Sequence, residues 1–479
     1  MNAHTEGVEV ERAQRSPLSG RHVHMIGVGG AGMSGAASML LELGAAVSGS
    51  DLSGFDGMGT LVAQGARIAV GHDAAHLPPE TEWVVVSAAV PDDNPELVAA
   101  RKRGCRVLKY AQLLGLLMDG FPHRIAVAGT HGKSTTTGMT VFLCRACGLD
   151  PSFVVGATSA QLGGGSGIGA GETFIAEACE FDRSFLHLRP TWAAILNIEP
   201  DHLDYYGSFD AVVEAFRTFA AGVAGEGGLI VNSEDPLARS AARGAGGTVE
   251  TFGFDEEATW RAVIRSESEG CCRFDVRLHG ERLLTSELSL PGRHNVANAL
   301  AATALTVRAG GDPSIVAEAL PDFRGVDRRL SWRGKGKGVT IVDDYAHHPT
   351  EIRVSLKAVR DRYRPRRMWV VFQPHQAART RHFLDDFAAS FDRVEEVIVP
   401  NIYGARETDE QAAIRGAEEL VLRIRRCGGR ARYVSTLRAA ASRVAEAVGP
   451  GDLVLTMGAG DVWKVADELV ERFCRSNGA

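Results

Sequence analysis

Residues 129–134 read Gly-Thr-His-Gly-Lys-Ser and run on into Thr135, Thr136 and Thr137. A glycine turn, a cation and a hydroxyl in that order are what a phosphate cradle needs. Backbone amides would come from Gly129, Thr130, His131, Gly132 and Lys133. The Lys133 ammonium would meet the β and γ phosphates, and the Ser134 hydroxyl, followed by Thr135, would face Mg2+. The usual pattern G-x-x-x-x-G-K-[ST] would put a glycine where Val127 stands, so this loop is a shorter variant. Lysine is scarce in the chain, seven of 52 basic residues, and one of the seven stands in this loop. The expected ligand is ATP.

Further along, Glu177-Ala-Cys-Glu-Phe-Asp182 and Asp201-His-Leu-Asp204 each follow an apolar run. Either alone reads as a solvated loop. Together, after a phosphate loop, they offer carboxylates and an imidazole to a metal, and Ser134, Glu177 and His202 are the expected Mg2+ ligands. An earlier stretch, Gly27-Val-Gly-Gly-Ala-Gly32, matches G-x-G-x-x-G without a mismatch. Gly29, Gly30, Ala31, Gly32, Met33 and Ser34 would present a helix N-terminus to a diphosphate, and Asp51, 19 residues after Gly32, stands where a ribose-binding acid would be. NAD and a nucleotide sugar such as a UDP-sugar both satisfy that reading. Near the C-terminus, Asp343-Asp-Tyr-Ala-His-His-Pro349 and Phe372-Gln-Pro-His-Gln-Ala-Ala-Arg379 place imidazoles and a guanidinium at strand ends. No cysteine or third histidine stands at ligand spacing from the histidine pair, so a carboxylate-binding site fits better than zinc.

Strands must carry these loops, because ligands of open parallel sheets bind beyond the strands' carboxyl ends. The pattern strand, glycine loop, helix occurs at HVHMIGVGGAG, again at RIAVAGTHGKST, and a third strand series starts after Arg328 with GVTIVDDYAHHP, MWVVFQPH, EEVIVPNIYG and DLVLTMGAGDV. The alternation over residues 272–290 predicts a β-hairpin, and the run after Gly292 predicts a helix ending at Gly310. The fold class expected is α/β in three domains: a flexible tail over 1–20, a Rossmann-like domain over 21–120, a central P-loop domain with an added hairpin over 121–330, and a Rossmann-like domain over 331–479. The net charge of -7 argues against a nucleic-acid partner. No apolar run reaches the roughly 18 residues of a membrane span, and the N-terminus lacks an apolar signal core, so a cytoplasmic location is expected. The eight cysteines read as reduced and structural.

The sequence resembles the Mur ligase family. The resemblance runs from His22 onward and rests on HVHMIGVGGAGMSG, AGTHGKSTTT, EACEFDRSFL, LNIEPDHLDYYGSF, LPGRHNVANALAA, DDYAHHPTE and FQPH with Arg379, in the family's order. It implies a UDP-holding domain, a central ATPase and a C-terminal domain that closes over the site. It also implies a reaction: ATP phosphorylates the lactyl carboxylate of UDP-N-acetylmuramate, and the amine of L-alanine then displaces phosphate to form an amide. Carried over by position, Lys133, Ser134, Glu177 and His202 match the ATP and metal residues, and His294, Asn295 and Asn298 match a nucleotide-binding segment. Arg328, Asp344, His348, His375 and Arg379 match residues that complete the ATP and amino-acid sites. A peptide-adding relative is the nearest alternative and an NAD-dependent oxidoreductase a distant one. The partners expected are the two substrates, with the chain a monomer or weak homodimer. EACEFD has one acid fewer than the family's common EADESD, and Gln376 and Ala377 stand where an arginine and an aromatic are common. Amino-acid binding is therefore expected to lean on Arg379 and His348. Residues 204–219 hold no lysine, so no carbamylated lysine is expected.

Overall fold

The computed structural model describes residues 18–405 and 409–474. Most of the 1–20 tail lies outside them; within the described part, Leu18 is fully buried and the Gly20 amide donates to Gly44 O at 2.9 Å.

Five short apolar strands, β1 (His22–Ile26), β2 (Ala46–Asp51), β3 (Arg67–Val70), β4 (Trp83–Val86) and β5 (Arg106–Lys109), form a parallel sheet in the order β3-β2-β1-β4-β5. The order reverses between β1 and β4, which opens a crevice at their carboxyl ends. Helix α1 (Ala31–Glu42) follows β1, and α2 (Tyr110–Asp119) follows β5. Strand β4 ends at Val86, beyond which Ser87 O accepts the Val90 amide at 3.1 Å.

The second sheet has ten strands. Its parallel centre is built from β6 (His123–Ala128), β7 (Ser152–Val154), β9 (Thr173–Ala178), β10 (Trp192–Ile195), β11 (Gly228–Asn232) and β12 (Thr248–Gly253), with β8 (Ser166–Gly167) antiparallel on one edge. On the other edge lie β13 (Trp260–Ser268), β14 (Cys271–Leu278) and β15 (Glu281–Leu288); the last two are the expected hairpin. Strand β6 feeds α3 (Lys133–Ala146), and α4 (Arg293–Arg308) is the helix expected after Gly292. Phe185, Phe216 and Phe219 anchor the core under this sheet, with the first and last stacked at 4.9 Å.

The third sheet runs β16-β17-β21-β18-β19-β20: β16 (Ser331–Gly336), β17 (Val339–Asp344), β18 (Met368–Phe372), β19 (Glu396–Val399), β20 (Ala431–Tyr433) and β21 (Leu453–Met457). All neighbours are parallel except β16 with β17. Helix α5 (Pro349–Tyr363) follows β17. The architecture is α/β throughout, as expected, in two compact units. One contains the first sheet, the described chain to residue 263, and 275–286 and 297–323. The other contains 264–274, 287–296 and the third sheet from residue 324.

Within the first unit, the first sheet docks on the second through close backbone approaches. A Cβ at Gly115 of α2 would meet His187 O at 2.3 Å, and one at Gly35 of α1 would meet Ser166 Oγ at 2.3 Å. Side chains at either position would push the two sheets apart.

Candidate active site

The phosphate loop leaves β6 and enters α3 through Gly129 (φ 146) and Gly132 (φ 85), backbone that residues with a Cβ rarely adopt. A Cβ at Gly132 would also meet Asn298 Oδ1 at 2.7 Å, which puts Asn298, a residue expected to bind nucleotide, against this loop. Asn197 braces the loop's other side: its Oδ1 accepts the His131 amide at 2.7 Å and its Nδ2 donates to His131 O at 3.0 Å. The Thr130 hydroxyl accepts from the Glu199 amide at 2.9 Å, and His131 Nε2 lies 3.6 Å from the Glu199 carboxylate. Ser134 and Thr135 lie buried in the first turn of α3.

Lys133 curls over its own loop, donating to Gly129 O at 2.5 Å and Thr130 O at 3.0 Å, and pairs with Glu180 at 2.8 Å. Burial alone would lower its pKa; Glu180 foremost more than offsets this and holds it above the usual lysine range. The cation therefore persists in a largely enclosed site.

The expected metal ligands do not all come together. Glu180 and Asp201 share a cluster with His202, their ligand atoms all within 4.8 Å of one another. His202 (φ 52) caps the short helix Leu203–Tyr206, with Nε2 at 3.9 Å from Glu180 and its ring 4.9 Å from Phe181. Glu177 points elsewhere. Its carboxylate accepts the Gly156 amide at 2.7 Å and faces a cavity of about 400 Å³. Asp204 is exposed, so it does not converge with the other acids.

That cavity reaches the first glycine loop, and no residue of the phosphate loop lines it. Gly30, Gly32, Met33, Lys109, Tyr110, Glu177 and Asp182 are among the residues that line it. A Cβ at Gly32 would meet the Tyr110 hydroxyl at 2.7 Å. Burial, with the Glu177 charge, pushes the Tyr110 phenol above its ordinary range, so it stays a donor. Gly27 and Val28 donate their amides to Ser50 O at 2.8 and 3.0 Å, which sets the turn, and Ser34 donates back to Gly30 O at 2.8 Å. Asp51 does not point outward as a ribose-binding acid would: its carboxylate accepts the Gly29 amide at 2.8 Å. A loop amide counted as a ligand donor is thus held by Asp51.

In the second unit Arg328 precedes β16, Asp344 ends β17, His348 stands at the start of α5, and His375 and Arg379 follow β18. Arg328 (φ 59) spends its guanidinium on the protein, on Asp343 at 3.0 Å, Gly460 O at 3.0 Å and Gly458 O at 2.7 Å. It ties the ends of β17 and β21 together, so its position serves structure first. Burial pushes the Asp344 carboxyl up to about 6. His348 caps α5, its Nδ1 accepting the Thr350 amide at 3.3 Å, in a capping box with Glu351. His375 stacks on Tyr403 at 5.7 Å, and Arg379 is buried on the short helix Ala377–His382. Asn295 Nδ2 donates to Pro291 O at 2.8 Å, and burial pushes His294 down to about 4, so its ring is neutral near pH 7.

Family models match three successive stretches: the Mur ligase family catalytic domain over 22–122, the Mur ligase middle domain over 127–306, and the Mur ligase glutamate ligase domain over 328–460. The chain belongs to the Mur ligase family. Among curated Mur ligases, the UDP-N-acetylmuramate–L-alanine ligase of Paenarthrobacter aurescens is 42% identical over 454 residues, 94% of this chain and 96% of the relative. The one from Caldanaerobacter subterraneus is 38% identical over 452 residues, covering 94% and 97%. Among solved Mur ligases, the UDP-N-acetylmuramate-alanine ligase of Thermotoga maritima superposes with a TM-score of 0.80 at 29% identity, covering 95% of this chain and all of that one. A murein peptide ligase from Psychrobacter arcticus gives 0.72 at 25% identity, covering 94% and 98%. These matches do not favour the oxidoreductase reading of the first glycine loop.

Three residues of this Mur ligase went unassigned in the sequence reading. Asn197 lies inside the quoted LNIEPDH, and Lys109 and Tyr110 sit where β5 gives way to a helix. The only signal for Lys109 was the rarity of lysine.

Proposed function

We propose that this ligase joins L-alanine to the lactyl carboxylate of UDP-N-acetylmuramate at the expense of ATP. What carries the reading is one cavity lined both by the glycines of the first loop and by Glu177, beside the strand that delivers the phosphate loop. A diphosphate on the amides of Ala31 to Met33, in the first turn of α1, would direct the sugar along this cavity toward Glu177. The named activities of the 38–42% identical relatives support the same substrates.

In the proposed reaction a lactyl oxygen forms a bond to the γ phosphorus as the bond to ADP breaks. The alanine nitrogen then bonds to the acyl carbon, phosphate leaves, and the ammonium protons pass to solvent or base. A carboxylate approaching a triphosphate meets like charge, so Lys133, held protonated, is assigned to neutralise what develops on the phosphoryl oxygens. Ser134, Glu177 and His202 are assigned to hold Mg2+, which requires the Glu177 carboxylate to leave the Gly156 amide that it accepts here. The hydroxyl and the carboxylate are hard oxygen donors that suit it, and it would add charge neutralisation on the same oxygens. Asn298, Asn295 and His294 are assigned to the nucleotide. Asp344, His348, His375 and Arg379 are assigned to completing the ATP and amino-acid sites, with Arg328 fixing the end of β17 that carries Asp344. We place the domain limits near residues 120 and 330 and the enzyme in the cytoplasm.

The test is phosphate release from ATP and Mg2+ with UDP-N-acetylmuramate, screened against L-alanine, glycine, L-serine and a tripeptide. L-alanine should support the fastest release. No alanine-dependent release from folded protein would sink the proposal, and preference for the tripeptide would move the chain to the peptide-adding branch.

A further inference from the structure

Two lysines of the first unit are each held by an acid of one short stretch. Glu180 binds Lys133 at 2.8 Å, and Asp182, two residues on, binds Lys109 Nζ at 2.7 Å. Between and beyond these contacts the backbone is strained: Asp182 (φ 54) and Arg183 (φ 55) both occupy the left-handed region, which residues with a Cβ adopt only when their surroundings force it. The surroundings are visible. The Tyr206 hydroxyl donates to Glu180 O at 2.6 Å, and the Phe181 ring packs on His202 at 4.9 Å. Lys109 ends β5 and is the only basic residue lining the cavity among the described residues. An anion in the cavity competes with Asp182 for Lys109, just as phosphates on the loop compete with Glu180 for Lys133. One rigid turn carries both acids, so moving one disturbs the other.

We propose that Lys109 and Asp182 are a positioning pair that couples occupancy of the sugar-nucleotide cavity to the setting of Lys133 in the phosphate loop. The inference rests on the function proposed above. Asp182 acts through the turn and touches no reacting atom.

The test is calorimetric titration of the full chain with UDP-N-acetylmuramate, and with a non-hydrolysable ATP analogue plus Mg2+, each alone and in the presence of the other. Wild type is compared with Asp182→Asn, which tolerates the left-handed backbone, and with Lys109→Met. In wild type each ligand should change the other's affinity by about 5-fold or more, by the same factor in both directions. Asp182→Asn should bring that factor below about 2-fold while the UDP-sugar alone binds as tightly or more tightly, since a repelling carboxylate is gone and Lys109 is released. Lys109→Met should also lose the coupling but bind the UDP-sugar about 10-fold more weakly. A merely structural role would weaken both variants alike. A coupling factor near one in wild type, or one unchanged in Asp182→Asn, overturns the proposal. Wild type that melts normally yet binds no UDP-sugar refutes the functional reading instead.

Discussion

The Lys133 ammonium and the Glu180 carboxylate stand 2.8 Å apart, while the Glu177 carboxylate, three residues earlier in the same stretch, accepts the Gly156 amide. Glu180 therefore governs the cation of the phosphate loop. Lys133→Ala should lower alanine-dependent phosphate release by about 100-fold or more. Glu180→Gln should behave differently: with no carboxylate competing for Lys133, KM for ATP should hold or fall while kcat drops about 10-fold. A raised KM with unchanged kcat would mean that Glu180 serves binding alone.

Glu177 has its own support. A Cβ at Gly156 would lie 2.7 Å from both carboxylate oxygens, and the backbone there does not require glycine. Gly156→Ala should then displace Glu177 without straining the chain, raising the Mg2+ concentration for half-maximal rate by about 10-fold. Unchanged Mg2+ dependence would remove Glu177 from the metal site.

Asn197 makes two side-chain bonds to the His131 backbone. Asn197→Ala should cost about 1–2 kcal/mol of stability by urea titration and raise KM for ATP, because the loop's amides lose their brace. A variant as stable as wild type with an unaltered KM would contradict that role.

A buried hub supports the first glycine loop from below. Glu96 is fully buried and takes hydrogen bonds with His24 at 2.6 Å, Ser50 at 2.7 Å and His72 at 2.9 Å, and Ser50 O receives the Gly27 and Val28 amides. Burial would raise the Glu96 pKa, but these bonds win and hold it below its usual value. Glu96→Ala should lose about 3 kcal/mol, with the pair's contribution present above the unfolded value of 4.5 and lost as pH falls below it. Equal acid sensitivity of variant and wild type in thermal melts would refute this.

Asp344 and His294 give opposite pH signatures. Asp344 is raised from 3.8 to about 6, so the folded chain holds its proton in that window, and stability falls as pH rises through it. His294 is lowered from 6.5 to about 4, so the unfolded chain binds the extra proton, and stability falls as pH drops through that window. The two terms oppose each other in wild type. Melting curves from pH 4 to 7 should show Asp344→Asn gaining stability relative to wild type as pH rises, and His294→Asn gaining as pH falls; parallel curves would contradict both assignments.

The sequence alone determined the three strand-loop-helix series, the hairpin, the helix after Gly292 and both glycine loops, because these depend on local periodicity and on positions where only glycine fits. Gly132 at φ 85 and the strand before it are properties of a dozen consecutive residues. Tertiary structure decided which acid meets which cation. Glu177 and Glu180 lie three residues apart, but the chain leaves β9 at Ala178 and turns through left-handed Asp182 and Arg183, so spacing gives no guide to where either carboxylate points. In the same way Asp51 reaches Gly29 from 22 residues away, Lys109 reaches Asp182 from 73, and Arg328 reaches Gly458 and Gly460 from 130 and 132. Such contacts exist only after the sheets have packed, since no local rule places two strand ends side by side.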